Sequence, residues 1–194
     1  MKKKIIILCL LVLFTGCTVV RIDTTSIDNI VDVVLNKNNK LYNHVGIGYK
    51  YYVPRGVTYI ESTGTNDKLY AGGIYYYLYL DEVSYYYGVK TKYKENGNKY
   101  YSKKLDNGYL EITKKNNKYL VDFVYNYAKV EALVPKEELE TVVLNSSYIL
   151  STIKYNKNVI KLSLTDGFLQ NGEEKYEEFT SKKESDGFLR YEEK

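Results

Sequence analysis

Few residues of this chain have the types and spacing that catalysis requires. His44 is the only histidine, so a histidine-based metal cluster or a nucleophile–histidine pair would have to be built on it, and a lone histidine is more often a loop residue than a base. Carboxylates are numerous, but no two of them form an evident acid–base couple. Neither a glycine-rich phosphate loop nor a dinucleotide-binding fingerprint is present. The sequence therefore predicts no catalytic residues, no metal site and no cofactor.

Tyrosine is the most unusual feature of the composition. The stretch from Gly73 to Gly88 reads GIYYYLYLDEVSYYYG, and seven of its sixteen residues are tyrosine. Side chains alternate between the two faces of a strand, so one face would carry Ile74, Tyr76, Leu78 and Leu80 and the other Tyr75, Tyr77 and Tyr79, spaced about 7 Å apart. A second strand after Asp81 and Glu82 would complete an aromatic hairpin. The candidate binding face is Tyr75, Tyr77, Tyr79 and Tyr86.

Three explanations of these tyrosines remain open. The first is a bias towards AT-rich codons. Phenylalanine codons share that bias, yet the chain has 24 tyrosines and 5 phenylalanines, so the bias alone does not account for the tyrosines. A thin sheet with one partly wet face favours a side chain with an apolar body and a polar tip, and this needs no ligand. A binding surface would also favour tyrosine, which gives a large contact area at low entropic cost.

A neighbouring segment predicts a basic face. Asn96-Gly97 is a strong hairpin signal, because both residues tolerate positive φ. A hairpin centred there would place five lysines on one face, namely Lys90, Lys92, Lys94, Lys99 and Lys103. Such a face fits an anionic polymer such as wall teichoic acid, or lipid headgroups. The alternative is a solvated face whose lysines protect an edge strand from aggregation.

The N-terminus carries the features of a secretion signal. Lys2, Lys3 and Lys4 precede an apolar run of ten residues, Ile5 to Phe14, which is too short to span a bilayer core of about 30 Å. The segment ends in LFTGC, which resembles the lipobox of bacterial lipoproteins. The resemblance implies cleavage before Cys17 and attachment of a diacylglycerol to its sulfur. Cys9, the other cysteine, lies inside this signal, so no disulfide is expected.

Most of the excess positive charge belongs to that signal. The chain has 28 basic and 24 acidic residues, a net charge of +4, and three of the basic residues are the initial lysines. The remainder is close to neutral, so no nucleic-acid partner is predicted. Residues 171–194 hold eight acidic and five basic residues. We expect this segment to be an acidic, partly flexible tail.

The remaining patterns predict one α+β domain. Apolar residues recur at helical spacing from Ser26, which can cap a helix, and again after Pro135. Between Val45 and Val134 the segments are strand-like and are separated by turn clusters, as in an antiparallel meander. VIKLSL, residues 159–164, predicts a further short strand. We expect the sheet to carry the N-terminal helix and the late helix packed on it.

Two segments also resemble the PsbP/Mog1-like αβα sandwich, IGYKYYVPRGVTY (47–59) and ELETVVLNSSYILSTIKY (138–155). That resemblance implies an accessory or scaffolding role. The expected organisation is a signal peptide at 1–16, a lipidated N-terminus and short tether at 17–25, the domain at 26–170 and the tail at 171–194. We expect a lipid-anchored, extracytoplasmic module of the cell envelope that binds or scaffolds without catalysis. A small envelope hydrolase with paired carboxylates is the alternative.

Overall fold

A seven-stranded antiparallel sheet dominates the computed structural model, which describes residues 24, 26–95 and 97–165. The helices are α1 (Ile27–Leu35), α2 (Glu82–Tyr87), α3 (Leu139–Thr152) and α4 (Lys157–Thr165). The strands are β1 (His44–Val45), β2 (Tyr49–Tyr51), β3 (Thr58–Thr63), β4 (Asn66–Ala71), β5 (Ile74–Leu80), β6 (Tyr101–Leu105), β7 (Gly108–Lys115), β8 (Lys118–Tyr125), β9 (Ala128–Val134) and β10 (Lys154–Tyr155).

The large sheet consists of two meanders joined side by side. Its strand order is β3-β4-β5-β9-β8-β7-β6, so the last strand of the second meander lies against the last strand of the first. Tight turns connect the strands of each hairpin at places where the sequence has turn residues. Gly72 and Gly73, with φ of 57° and 84°, form the turn between β4 and β5, and Asn116, with φ of 55°, lies in the turn between β7 and β8.

One face of the large sheet carries the main hydrophobic core. Tyr76 and Leu78 of β5, Phe123 of β8 and Val130 of β9 contribute to it. Helix α3 covers this face, and α1 packs against α3 through Ile30, Val31 and Val34. We call this the helix face of the sheet and the opposite side the outer face.

The predicted α+β class, with a helix at each end of an antiparallel sheet, is confirmed. Helix α1 begins where the sequence predicts, because the Ser26 side chain accepts a hydrogen bond from the Asn29 N–H at 3.4 Å. The late helix also forms, and Pro135 precedes a short 3₁₀ turn, Lys136–Glu138, that leads into α3.

A second, small sheet was not foreseen. It has the order β1-β2-β10 and is antiparallel throughout. It joins the end of α3, because the Tyr52 N–H donates to the Thr152 hydroxyl at 2.9 Å. The Tyr155 hydroxyl donates to the Tyr127 carbonyl at 2.6 Å, which ties β10 to the turn between β8 and β9.

The expected aromatic hairpin is wrong, because the residues after β5 form helix α2 instead of a strand. The Asp81 side chain caps its start by accepting a hydrogen bond from the Ser84 N–H at 2.8 Å. Gly88 ends it in the left-handed conformation, with φ of 68°. These two caps frame a helix of six residues, and they outweigh the strand propensity of its tyrosines.

The strand expected at residues 159–164 is also wrong, because this segment lies within α4. The Asn156 side chain accepts from the Asn158 and Val159 N–H groups at 3.2 and 3.4 Å and so caps the helix. Ile160 and Ser163 are buried three residues apart, which is helical spacing, whereas Leu162 is exposed.

The lysine hairpin does not form either. Residues 89–95 have no regular secondary structure, and the next strand, β6, pairs with β7 instead. Residues 89–95 and 97–100, which we call the strap, are held to the outer face of the sheet. There Tyr93 stacks on Tyr109 with 4.3 Å between ring centroids, and its hydroxyl donates to Glu111 at 3.0 Å.

Candidate functional site

An open groove of about 790 Å³ lies where the small sheet meets helices α2 and α4. Its walls come from three separate parts of the chain, which are residues 45–50, Tyr85, and residues 154–159. The aromatic part of its lining consists of Tyr49, Tyr85 and Tyr155. Tyr85 and Tyr155 are stacked with 4.4 Å between their centroids, so one wall of the groove is a pair of phenol rings.

Two glycines allow the backbone to pass close to this wall. A Cβ atom on Gly46 would collide with the Tyr49 ring. Gly48 has φ of 87°, and a Cβ there would lie 2.9 Å from both Glu82 Oε1 and Ile160 Cγ1. Any other residue at position 48 would therefore be strained and would displace the Glu82 and Ile160 side chains.

Three lysines surround the groove, Lys50, Lys154 and Lys157. Lys50 and Lys154 are direct cross-strand partners of β2 and β10. Like charges placed opposite each other in this way destabilise a sheet. Within the described part of the chain none of the three pairs with a carboxylate. The groove therefore has excess positive charge that an anion would neutralise.

Two of these three lysines lie over aromatic rings. Lys50 Nζ lies 3.8 Å from the centroid of the Tyr42 ring, and Lys157 Nζ lies 5.4 Å from that of Tyr86. Such cation–π contacts orient an ammonium group without neutralising its charge. The first turn of α4 also lines the groove, and its backbone N–H groups add partial positive charge at the same end.

A buried carboxyl lies directly behind the groove. Glu82, the first residue of α2, is 1% exposed, and among the described residues neither of its carboxylate oxygens has a hydrogen-bond partner. Burial raises the pKa of Glu82 to about 7. Its charge is therefore linked to pH in the neutral range, next to the Gly48 backbone that forms the groove wall.

A hydrogen-bonded cluster supports the groove from the side of the large sheet. Asp67 of β4 is completely buried and accepts hydrogen bonds from the hydroxyls of Tyr49, at 3.0 and 3.1 Å, and Tyr51, at 2.7 Å. His44 Nε2 lies 3.5 Å from the same carboxylate, and the His44 ring stacks on Tyr59. Burial and the Asp67 charge raise the pKa of both Tyr49 and Tyr51, so these hydroxyls remain protonated donors.

The chemistry available in this arrangement is recognition of an anion. The groove lining described by the structure contains no carboxylate, and the described residues contain no group of three or more His, Cys, Asp or Glu side chains able to hold a metal. The two lysines of the paired strands offer ammonium donors, and Lys157 adds a third beside them. Phenol rings beside them can cover an apolar part of a ligand.

The predicted tyrosine row occupies strand β5, but it is not an exposed row. Tyr75 is 40% exposed, whereas Tyr77 and Tyr79 are 1% and 3% exposed. Lys68 Nζ lies over the Tyr77 ring at 5.7 Å, and Lys129 Nζ lies over the Tyr79 ring at 4.8 Å. The strand is thus buried on both faces near its C-terminal end, and only its beginning offers an accessible phenol.

Tyr86, the fourth member of the predicted face, is separated from that row. It lies on α2, where its ring packs edge-on against Tyr87 at 5.1 Å, under the ammonium group of Lys157. The structure therefore associates Tyr86 with the lysines around the groove.

The five predicted lysines do not share a face. Lys99 Nζ pairs with Glu111 on the outer face at 3.1 Å. Lys103 instead reaches the helix face and contacts both Asp28 and Asp32 of α1 at 2.9 Å. Lys90, Lys92 and Lys94 lie in the strap and are exposed. The basic face predicted from a hairpin register is wrong because that register is absent.

The residues that build the groove were missed by sequence reasoning. Lys50 and Lys154 lie in the two segments that resemble the αβα sandwich, but that resemblance assigns no role to a lysine. Glu82 resembles a turn residue between two strands. One available signal was the pair of glycines at Gly46 and Gly48, which marks a close backbone approach. Another was the Asp81 and Gly88 pair, which is typical of the two ends of a short helix.

Comparisons with known proteins return no family model, no curated protein and no solved structure that matches this chain. Within ranges 26–95 and 97–165, none of the helices is both long and apolar enough to cross a membrane. Cys17 and the acidic tail at 171–194 lie outside the described residues, so the predictions made for them remain predictions.

Proposed function

We propose that this protein is a lipid-anchored, extracytoplasmic binding module of the cell envelope, and that its groove binds an anionic ligand without catalysing a reaction. The observation that carries the proposal is a set of three lysines around the groove that have no carboxylate partner among the described residues. Two of them face each other across paired strands. The facing ammonium groups of Lys50 and Lys154 repel each other and destabilise the free protein. An anion bound between them would relieve this repulsion.

The groove is a better binding surface than the tyrosine row. A row of phenols could act as a platform only if it were accessible, and Tyr77 and Tyr79 are buried. The groove combines charge with aromatic surface, since the Tyr85–Tyr155 pair forms one of its walls. The ligand class that fits is an anionic group, such as a phosphate diester, attached to a less polar body.

The predicted lipid anchor at Cys17 supports a ligand that belongs to the cell envelope. The LFTGC segment predicts lipidation of Cys17, and eight residues separate Cys17 from Ser26. When extended they reach about 28 Å, which keeps the domain close to the membrane. A ligand of the envelope, either a wall polymer or a lipid headgroup, is then within reach of the groove.

Affinity for a soluble polyanion tests the proposal. Full-length protein in neutral detergent micelles would be titrated with poly(glycerol phosphate), and the Lys50→Ala/Lys154→Ala/Lys157→Ala variant compared with it. Each exposed ion contact contributes about 0.5–1 kcal/mol, so the variant should bind roughly 10- to 100-fold more weakly.

A matched control keeps the same net charge. Lys114, Lys115 and Lys118 are exposed lysines at the turn between β7 and β8, and replacing all three with alanine removes the same charge elsewhere. This control variant should bind as the original protein does. Equal loss of affinity in the two triple variants would reject the groove as the site and leave only non-specific attraction.

A further inference from the structure

Residues 41–47, the last three of which line the groove, expose an unusual amount of apolar surface. Leu41, Tyr42, Val45 and Ile47 are 59%, 53%, 67% and 56% exposed. They fall within seven consecutive residues, whereas Tyr49 and Tyr51, which follow directly, are buried. Isolated exposed apolar residues are ordinary, but a cluster of large ones on one short segment marks an interaction surface. We call residues 41–47 the apolar edge.

The apolar edge is continuous with the groove. Val45 and Ile47 line the groove themselves, together with Lys50. Tyr42 lies directly beneath the Lys50 ammonium group, 3.8 Å from ring centroid to Nζ. The exposed apolar side chains and the groove lysines are therefore parts of one surface.

This combination distinguishes between possible partners. An apolar surface that pairs with a second copy of the chain would bring Lys50 and Lys154 against their own counterparts or leave them at a desolvated rim, which is unfavourable. A bilayer containing anionic lipids accepts both components, because apolar side chains enter the boundary between headgroups and acyl chains while ammonium groups remain among the phosphates. Each lysine near such a surface contributes about 1 kcal/mol.

We infer that the apolar edge docks onto the surface of an anionic bilayer and that the groove thereby opens into the headgroup layer, so that its ligand is the phosphate of a lipid headgroup. This inference rests on the proposed function, because it names the source of the anion that the groove binds. Tyr42 would lie at the level of the headgroups, where an aromatic ring with a polar tip is favoured.

A single tryptophan can report this docking, because the chain contains none. Full-length Ile47→Trp protein would be reconstituted into phosphatidylcholine vesicles with and without phosphatidylglycerol. We expect its emission to shift to the blue in the anionic vesicles and to be quenched by lipids brominated near the headgroup. The same variant carrying Lys50→Glu, Lys154→Glu and Lys157→Glu should lose both responses.

A second reporter supplies the control. Tyr100→Trp places the probe at an exposed site, 49% accessible, just before β6 at the opposite edge of the large sheet. Its emission should be unaffected by lipid composition, although the N-terminus anchors the protein equally in every sample. Equal quenching of both reporters would overturn the inference, because it would mean that the domain lies on the bilayer in no preferred orientation.

Three further outcomes would also overturn it. A blue shift of Ile47→Trp that grows with protein concentration in phosphatidylcholine alone would assign the apolar edge to a second copy of the chain. An Ile47→Trp probe that ignores the lipid, while poly(glycerol phosphate) still binds at the groove lysines, would reject the lipid headgroup and leave the proposed function intact. If the Ile47→Trp probe ignores the lipid and poly(glycerol phosphate) also fails to bind at the groove lysines, the inference and the proposed function are both rejected.

Discussion

At the scale of single residues, the excess of tyrosine over phenylalanine has a structural explanation in the core. Several buried phenols use their hydroxyls to satisfy polar groups. Tyr51 donates to Asp67, Tyr155 donates to a backbone carbonyl, and the Tyr76 hydroxyl accepts from the Asn145 side chain at 3.1 Å. Phenylalanine would fill nearly the same volume, but each of these groups would lose one hydrogen-bond partner.

The hydrogen bond from Tyr51 to Asp67 should contribute measurably to stability. Tyr51→Phe removes a donor from a buried carboxylate, and a hydrogen bond to a charged group contributes about 2 kcal/mol. Urea unfolding followed by circular dichroism measures the loss. The exposed Tyr87 provides the control, since Tyr87→Phe should change the free energy of unfolding by less than about 0.5 kcal/mol. Equal effects of the two substitutions would contradict a structural role for the Asp67 cluster.

Glu82 should make stability fall as the pH rises from about 4.5 to about 7. Its pKa is raised from 4.5 to about 7, so in this window the folded protein retains a proton that the unfolded chain releases. The contribution is fully lost above the folded pKa, and the total is on the order of 3 kcal/mol. In Glu82→Gln this part of the pH dependence should disappear. Parallel stability curves for the two proteins between pH 4.5 and pH 8 would contradict this account.

At the scale of elements, the sequence predicted α1, α3 and the antiparallel character of the large sheet, but it failed for α2 and α4. Helix α3 has many residues at helical spacing, so its period is unambiguous. In the segments that become α2 and α4, the spacing of the apolar and aromatic residues is compatible with both a strand and a helix. There the caps at Asp81, Gly88 and Asn156 decided the structure, and a single capping residue is a weak signal beside a run of tyrosines.

The strap should be attached mainly through Tyr93. Its stacking on Tyr109 contributes about 1 kcal/mol, and its hydroxyl adds the bond to Glu111. Burial and Glu111 raise the pKa of Tyr93 to about 12, so the hydroxyl remains a donor at neutral pH. Tyr93→Ala should accelerate tryptic cleavage after Lys90, Lys92 and Lys94 on the order of tenfold by local opening.

Global unfolding has to be separated from this local opening. Far-ultraviolet circular dichroism of Tyr93→Ala should be unchanged, and cleavage of Tyr87→Ala should proceed at the original rate. Unchanged cleavage in Tyr93→Ala would mean that other contacts hold the strap.

At the scale of the whole molecule, the groove could not be predicted because it belongs to no single segment. Gly48, Glu82 and Lys154 are far apart in the sequence and meet only when the small sheet packs against α2 and α4. The same is true of Asp67, which lies on the large sheet while its donors Tyr49 and Tyr51 lie on the small one. Local periodicity predicts elements, but the way two sheets meet depends on long-range packing.

The lipid anchor at Cys17, a prediction from the N-terminal sequence, can be tested on the whole molecule. In a bacterial host, full-length protein should fractionate with membranes, and Cys17→Ala should release it or leave an unprocessed form that carries no diacylglycerol. Mass spectrometry of the N-terminal peptide measures the modification directly. Cys9→Ala is the control and should be processed normally. A Cys17→Ala protein that still carried lipid would contradict the assignment of the anchor.

The most direct test of the central claim, that the groove binds an anion, is the accessibility of individual lysines. Full-length protein would be acetylated briefly with and without poly(glycerol phosphate), and each lysine quantified by mass spectrometry. The account predicts that Lys50, Lys154 and Lys157 become protected while Lys114, Lys115 and Lys118 react as before. Protection distributed evenly over all exposed lysines, or confined to the turn between β7 and β8, would contradict it.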